Sequence, residues 1–132
     1  MNNFLLDTNA VLDFLKGEEK ITTIFKTEMK DKPRFVSEIT RMELLGYPDI
    51  SSDEETTINE FLSLVEILPC DEIVVNKVIQ LRRMTKRIKL PDAIIAATAI
   101  EYHLVFVSRD SVFNLSRPEL QVINPNNYKE VK

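Results

Sequence analysis

The sequence predicts an α/β fold built on a parallel sheet. Short apolar runs of strand length recur along the 132 residues, and segments with helical periodicity separate them. The run at residues 104–107 is apolar at every position, which is typical of a strand buried on both faces of a parallel sheet. The chain has no internal repeat, low-complexity segment or linker, so we expect a single domain over residues 1–132.

Each element follows from local residue patterns. In the first half we predict strands at 4–6 and 34–36 and helices at 11–15, 20–30 and 38–45. Gly17 ends the first helix, and Ser37 is placed to cap the third. Ser52 and Glu55 have the spacing of a capping box for a fourth helix, whose apolar positions are Ile58, Phe61, Leu62 and Val65.

In the second half we predict strands at 65–68, 104–107 and 121–123, helices at 71–87 and 92–100, and a polar tail from residue 124. Pro91 suits the first turn of the last helix. Between Ala93 and Ile100 only Thr98 is polar, so we expect this helix to be buried between other layers.

The composition excludes several kinds of site. A single cysteine, Cys70, and a single histidine, His103, cannot form an internal disulfide, a four-ligand Cys/His zinc site or a two-histidine cleavage site. A Ser/His/Asp triad would have to use His103, and no Gly-x-Ser-x-Gly motif is present. With neither a secretory signal nor a long apolar segment, the protein is expected to be soluble and cytoplasmic.

Four acids are predicted at one edge of the sheet, where open parallel sheets bind ligands beyond the carboxyl ends of their strands. Asp7 directly follows the first strand, Asp110 follows the strand at 104–107, and Asp92 begins the buried helix. Glu43 is the fourth, because at about 100° per residue it falls beside Met42 on the expected apolar stripe of its helix, facing the sheet.

Each acid also has an ordinary structural explanation. Asp7 and Asp110 could be turn or capping residues, Asp92 could stabilise a helix dipole, and Glu43 could be a solvated surface residue. Converging carboxylates would repel one another unless a divalent cation compensated them. Oxygen ligands suit Mg²⁺ or Mn²⁺, which can activate water for attack on a phosphodiester. This placement favours metal-dependent nuclease chemistry.

The motifs around these acids resemble the PIN-domain family. They are LLDTN at residues 5–9, SEITRMEL at 37–44, LPDAIIAATA at 90–99 and VSRD at 107–110. The resemblance covers nearly the whole chain, in order, and is closest to the VapC-type toxins of bacterial and archaeal toxin–antitoxin pairs. Ser108 stands where that family usually has threonine, and it keeps the hydroxyl group.

The resemblance implies a three-layer α/β/α sandwich around a mostly parallel sheet and a Mg²⁺- or Mn²⁺-dependent endoribonuclease. By similarity, Asp7 and Asp92 are the principal metal ligands, and Glu43 and Asp110 complete the acidic pocket. The supporting residues by the same similarity are Asn9 and Ser108. The family further implies a homodimer and a cognate antitoxin that blocks the acidic pocket.

A basic cluster is the candidate RNA-binding surface. It consists of Arg82, Arg83, Lys86, Arg87 and Lys89. Although the net charge is −4, removing these five residues leaves 12 basic and 21 acidic residues, a net of −9 on the rest of the chain. The cluster runs into the turn before Asp92, so it could hold phosphates beside the acids. It could equally be a solvated helix terminus.

Two other functions stay open. Phosphatases of the haloacid-dehalogenase type also place an aspartate after the first strand, but they need a second one where this chain has Asn9. A PIN-fold binding module without activity would not need all four acids.

Overall fold

The computed structural model describes residues 2–113 and 119–129. Its strands are β1 (Phe4–Leu6), β2 (Arg34–Ser37), β3 (Glu66–Leu68), β4 (Val105–Val107) and β5 (Val122–Ile123). They form one sheet in the order β3-β2-β1-β4-β5, with every neighbouring pair parallel. The predicted parallel sheet is therefore confirmed. β1 is the middle strand, and β4, the strand predicted to be buried on both faces, lies beside it and is buried at every position.

Six α-helices connect these strands within the described residues. They are α1 (Thr8–Leu15), α2 (Glu19–Lys26), α3 (Glu38–Leu45), α4 (Ser52–Leu62), α5 (Glu72–Met84) and α6 (Leu90–Glu101). None of them is long and apolar enough to span a bilayer.

Alternating side chains of β1 contact two separate cores. Phe4 and Leu6 pack with residues of α1, α2, α3 and α4 on one face of the sheet. Leu5 points to the other face and packs with residues of α5 and α6. Helices therefore cover both faces of the sheet, which is the three-layer α/β/α arrangement.

Helix α6 is enclosed nearly all round, as its sequence predicts. Residues 95–100 are all buried, and the helix contacts α5, α3, β2 and β4. Its alanines allow this close approach because they add little bulk beyond the backbone. Pro91 lies in the first turn, where it removes no helical hydrogen bond.

Several predicted boundaries move because tertiary packing overrides local pattern. The second helix ends at Lys26 instead of residue 30, although Met29 is still fully buried in the turn that follows. The fifth ends at Met84 instead of residue 87, and Ile88 anchors the next segment in the core. An apolar residue at helical spacing, such as Met29, can therefore be buried although the helix has already ended.

The capping box of α4 lies one residue earlier than predicted. Ser51, not Ser52, accepts a hydrogen bond from the backbone N–H of Glu54, and the Glu54 carboxylate accepts one from Ser51 N. Both serines have a glutamate three residues later, so spacing alone does not choose between the two registers. Gly17 follows the C-cap of α1 with φ +76°, a conformation that favours glycine.

The segment after residue 124, which was expected to be a polar tail, begins with a short helix. Residues 125–127 form a short 3₁₀ helix capped by Asn124, whose side chain accepts a hydrogen bond from Asn126 N. Tyr128 then packs against the core on the α1–α2 side of the sheet.

Replacing Leu5 by alanine tests how far stability depends on the central strand. Leu5 has no exposed surface, so Leu5→Ala should lower the free energy of unfolding by about 2–5 kcal/mol. The matched control is Leu64→Ala, because Leu64 is 79% exposed and its loss should cost less than about 0.5 kcal/mol. Urea denaturation measures both, and equal effects would contradict the two-core arrangement.

Candidate active site

The register of β1 against β4 places Asp7 beside Ser108. Leu6 pairs with Val107, so the next residue of each strand lies at the carboxyl edge of the sheet. Asp7 Oδ2 accepts a hydrogen bond of 2.5 Å from the Ser108 hydroxyl. Its Oδ1 accepts another, of 2.7 Å, from the backbone N–H of Ala10, which makes Asp7 the N-cap of α1. Ser108, predicted as a supporting residue, therefore contacts a predicted site acid by a hydrogen bond.

Asp7 is a buried acid, with only 4% of its surface exposed. The pKa of Asp7 is raised to about 6, chiefly by burial and also by the nearby Asp110 carboxylate. The hydrogen bonds from Ser108 and Ala10 N and the positive charge of Arg109 act in the opposite direction. The site thus holds a carboxyl group whose charge is poorly compensated by the described residues around it.

Asp92 lies in the first turn of α6 and is half-buried. Burial raises the pKa of Asp92, and the carboxylates of Asp110 and Glu43 raise it further, whereas Lys89 lowers it. Asp92 therefore lies within electrostatic range of two other predicted site acids. The helix-dipole explanation accounts for its position in the helix but not for these acidic neighbours.

Asp110 lies on the exposed rim of the site. Its backbone N–H donates to Ser108 Oγ at 3.1 Å, and its Oδ1 accepts from Val112 N at 3.0 Å. The turn explanation is therefore correct as far as the backbone is concerned. The carboxylate also interacts with Asp7 and Asp92, so the two explanations hold together.

The burial predicted for Glu43 is wrong. Met42 is 58% exposed and Glu43 is exposed as well, because α3 turns Thr40 and Leu44 towards the core instead. Glu43 nevertheless reaches the site through the Thr8 hydroxyl, which donates to Glu43 Oε1 at 2.6 Å and lies 3.2 Å from Thr40 Oγ1. Its carboxylate thus lies at the mouth of the site and not inside the core.

The remaining predicted residues are less closely tied to the acids. Asn9 is exposed, and its side chain has no hydrogen bond to the part of the chain that the structure describes. The five residues of the basic cluster are all exposed. Arg82 and Arg83 lie in the last turn of α5, and Lys89 is the N-cap residue of α6. Lys89 lowers the pKa of Asp92.

Sequence reasoning missed two contacts around the acids. One is the link from Thr8 to Glu43, and the other is the ion pair between Arg109 and Asp13, at 2.8 Å. Both join residues far apart in the chain, and local spacing carries no signal for such pairs. Arg109 could have been suspected, since it lies between Ser108 and Asp110 in the predicted motif.

The donor set fits a hard divalent cation in its chemistry. The four acids offer only oxygen, which Mg²⁺ and Mn²⁺ prefer. Among residues 2–113 and 119–129, no three Asp, Glu, His or Cys side chains are grouped closely enough to hold a metal alone. Mg²⁺ does not require such a group, because it commonly takes one or two carboxylates and keeps several waters.

Comparisons with known proteins point to one family. Residues 4–115 match the family model of the PIN domain. A search of curated proteins finds no significant match.

Several solved structures are similar over nearly the whole chain. A toxin–antitoxin complex from Klebsiella pneumoniae is 28% identical, with a TM-score of 0.77 over 93% of this chain and 98% of that one. FitAcB from Neisseria gonorrhoeae is 28% identical, with a TM-score of 0.77 over 95% and 99%. DNA-bound VapBC from Salmonella typhimurium is 26% identical, with a TM-score of 0.78 over 95% and 99%. In sequence motifs, family match and fold, the chain belongs to the PIN domain family, where it resembles the VapC-type toxins.

Proposed function

We propose that the protein is a Mg²⁺- or Mn²⁺-dependent endoribonuclease and the toxin of a type II toxin–antitoxin pair. The observation that carries this proposal is the buried Asp7 at the carboxyl edge of the sheet, with other carboxylates acting on it and on Asp92. Asp110 raises the pKa of both Asp7 and Asp92, and Glu43 raises that of Asp92, as expected of a site that is incomplete without a cation. Family membership supports the same reaction class.

In this proposal Asp7 and Asp92 hold the cation, and Glu43 and Asp110 act at the rim, directly or through water. When bound, the cation supplies Lewis acidity at the phosphodiester and lowers the pKa of water. Ser108 and Ala10 N fix the Asp7 carboxylate by two hydrogen bonds, so its orientation does not have to be set when substrate arrives. Thr8 fixes Glu43 in the same way.

The chain offers no competing route to cleavage that uses histidine. His103 is exposed and lies at the turn before β4, whereas Asp7 and Asp110 follow the carboxyl ends of β1 and β4. Water is therefore the proposed nucleophile, and the carboxylates are the groups available to orient it and accept its proton.

The basic cluster is the proposed RNA-binding surface beside this site. Lys89 links this surface to the acids, because its positive charge lowers the pKa of Asp92. The other four basic residues precede Lys89 in the chain, from the last turn of α5 onwards. Without aromatic side chains among them, these residues would bind phosphates and not bases.

The proposed partners are RNA, a cognate antitoxin and a second copy of the chain. The solved structures from Klebsiella pneumoniae and Salmonella typhimurium are toxin–antitoxin complexes, which supports an antitoxin partner here. Two observations would identify that partner. They are an adjacent reading frame that encodes a small DNA-binding protein, and co-purification of that protein with this chain.

Neutralising a proposed metal ligand should abolish cleavage. We expect Asp7→Asn and Asp92→Asn each to reduce Mg²⁺-dependent cleavage of structured RNA by about 100-fold or more, since the cation supplies several kcal/mol of transition-state stabilisation. Gel analysis of purified, antitoxin-free protein measures this, and expression toxicity should fall in parallel.

The matched control for this experiment is Asp31→Asn. It makes the same chemical change at an exposed residue before β2, at the opposite edge of the sheet. Cleavage that persists in EDTA, or that survives both site variants, would contradict the metal mechanism.

The raised pKa of Asp7 predicts that stability depends on pH. In metal-free protein the protonated carboxyl favours the folded state below about pH 4, and this contribution is lost as the pH rises towards the folded pKa of about 6. Asp7→Asn does not titrate, so it should be more stable than the unaltered protein at pH 7 by up to about 3 kcal/mol.

Thermal unfolding in EDTA between pH 4 and pH 7.5 measures this difference, and Asp31→Asn serves again as the control. Adding Mg²⁺ at pH 7 should stabilise the unaltered protein but not Asp7→Asn. If the difference in stability between the unaltered protein and Asp7→Asn stays constant over this pH range, burial does not raise the pKa of Asp7.

Charge reversal in the basic cluster tests RNA binding. Arg83→Glu with Arg87→Glu should weaken RNA binding and reduce its salt dependence by roughly 0.7 in log–log slope for each lost phosphate contact. Fluorescence anisotropy at several salt concentrations measures both quantities, with Lys30→Glu as a reversal outside the cluster. Unchanged affinity for RNA would show that the basic cluster is not the RNA-binding surface.

A further inference from the structure

Arg109 is a cation at the edge of the acidic site whose role the proposed mechanism does not explain. It follows Ser108, which binds Asp7, and precedes Asp110. Its side chain is 45% exposed, so it is accessible to a substrate.

One carboxylate holds the guanidinium in place. Arg109 Nε donates to Asp13 Oδ2 at 2.8 Å, across 96 positions of the chain, and the Asp13 side chain is only 19% exposed. Asp13 lies on α1, the helix that Asp7 caps. The ion pair thus joins α1 to the loop after β4, and both of these segments begin at the site. The bond is short, as is typical of charge-assisted hydrogen bonds.

This bond uses one of the five N–H groups of the guanidinium. It is the only hydrogen bond of the guanidinium to residues 2–113 and 119–129, so neither Nη group is used by that part of the chain. An arginine fixed through Nε with both Nη groups available has the donor geometry that matches two oxygens of a phosphate.

The surrounding charges place this donor pair beside the acids. The hydrogen bond to Asp13 is the largest cause that raises the pKa of Arg109, and the carboxylates of Asp7 and Asp110 raise it too. An ion pair this exposed contributes little to the free energy of unfolding. Stability is therefore a weak explanation for the presence of Arg109 and Asp13 at these positions.

We propose that Arg109 binds the RNA phosphodiester next to the acidic site, with Asp13 as the positioning residue that holds its guanidinium. The Nη groups donate to non-bridging phosphate oxygens. This inference rests on the proposed function and names a further substrate-binding residue for it. It also offers a counter-charge for RNA at the place where the carboxylates would otherwise repel it.

The competing explanation is that Arg109 only fastens the loop after β4 to α1. The two explanations differ in the salt dependence of RNA binding, because only a phosphate contact releases counterions. The test measures binding of a fluorescent single-stranded RNA of about 20 nucleotides by anisotropy, in EDTA, at several salt concentrations.

Arg109→Ala should weaken RNA binding about tenfold at low salt and flatten the log–log salt dependence by about 0.7. Asp13→Ala keeps the positive charge, so it should preserve the slope and lose less affinity. Lys30→Ala, which removes an exposed lysine in the turn before β2, is the control for charge alone and should change neither quantity appreciably.

Thermal unfolding shows whether each variant folds, and Arg109→Gln replaces Arg109→Ala if the alanine variant does not. In Mg²⁺, loss of the phosphate contact should raise KM more than it lowers kcat. The inference is overturned if Arg109→Ala leaves affinity and slope unchanged, or if Asp13→Ala reproduces its loss of affinity while neither variant alters the slope.

The assay separates this inference from the proposed function. Binding in EDTA does not require cleavage, so the effect of Arg109→Ala can be present in a protein that proves not to be a nuclease. Conversely, metal-dependent cleavage that Arg109→Ala leaves intact would overturn the role of Arg109 and leave the nuclease proposal standing.

Discussion

The pairing of β1 with β4 is the constraint on which the site depends. Two strands about 100 residues apart in sequence end side by side, and the residue that follows each one enters the site. The resulting bond between Ser108 and Asp7 fixes one carboxylate in a place where water is largely excluded. The other acids then meet a negative charge that neither solvent nor the described residues fully offset. A shift of one residue in this pairing would turn the core side chains of β1 to the wrong face and separate Asp7 from Ser108.

Much of this arrangement could be predicted from the sequence, because its strongest signals are local. Apolar runs predicted the strands, and the position of Asp7 directly after β1 predicted its place at the sheet edge. Helix ends were harder to predict, since Met29 is buried beyond the helix that its spacing predicted, and the helix predicted to reach residue 87 ends at Met84. The predicted depth of Glu43 was wrong, although its carboxylate lies within electrostatic range of Asp92. An angle around a helix gives a direction, whereas depth depends on what lies opposite, and Met42 has no such neighbour to bury it.

The distribution of charge is compatible with the proposed RNA substrate, although the chain as a whole is acidic. The charge is divided in space, with carboxylates at the sheet edge and cations beside them. Lys89 and Arg109 act on the acids from two different segments, the start of α6 and the loop after β4. The folded state thus tolerates a buried acid at a cost in stability, a compromise that functional sites often show.

The distance along the chain between the two halves of the site has a consequence for synthesis. Asp7 leaves the ribosome about 100 residues before β4, the strand that completes its surroundings and ends at Val107. Parallel pairing over this separation cannot begin until β4 has been synthesised, and such long-range contacts form slowly. A nascent chain that already contains Asp7 therefore lacks Ser108, its hydrogen-bond partner, throughout that interval. Under the proposed nuclease function, the chain would have no complete site during this stage of its own synthesis.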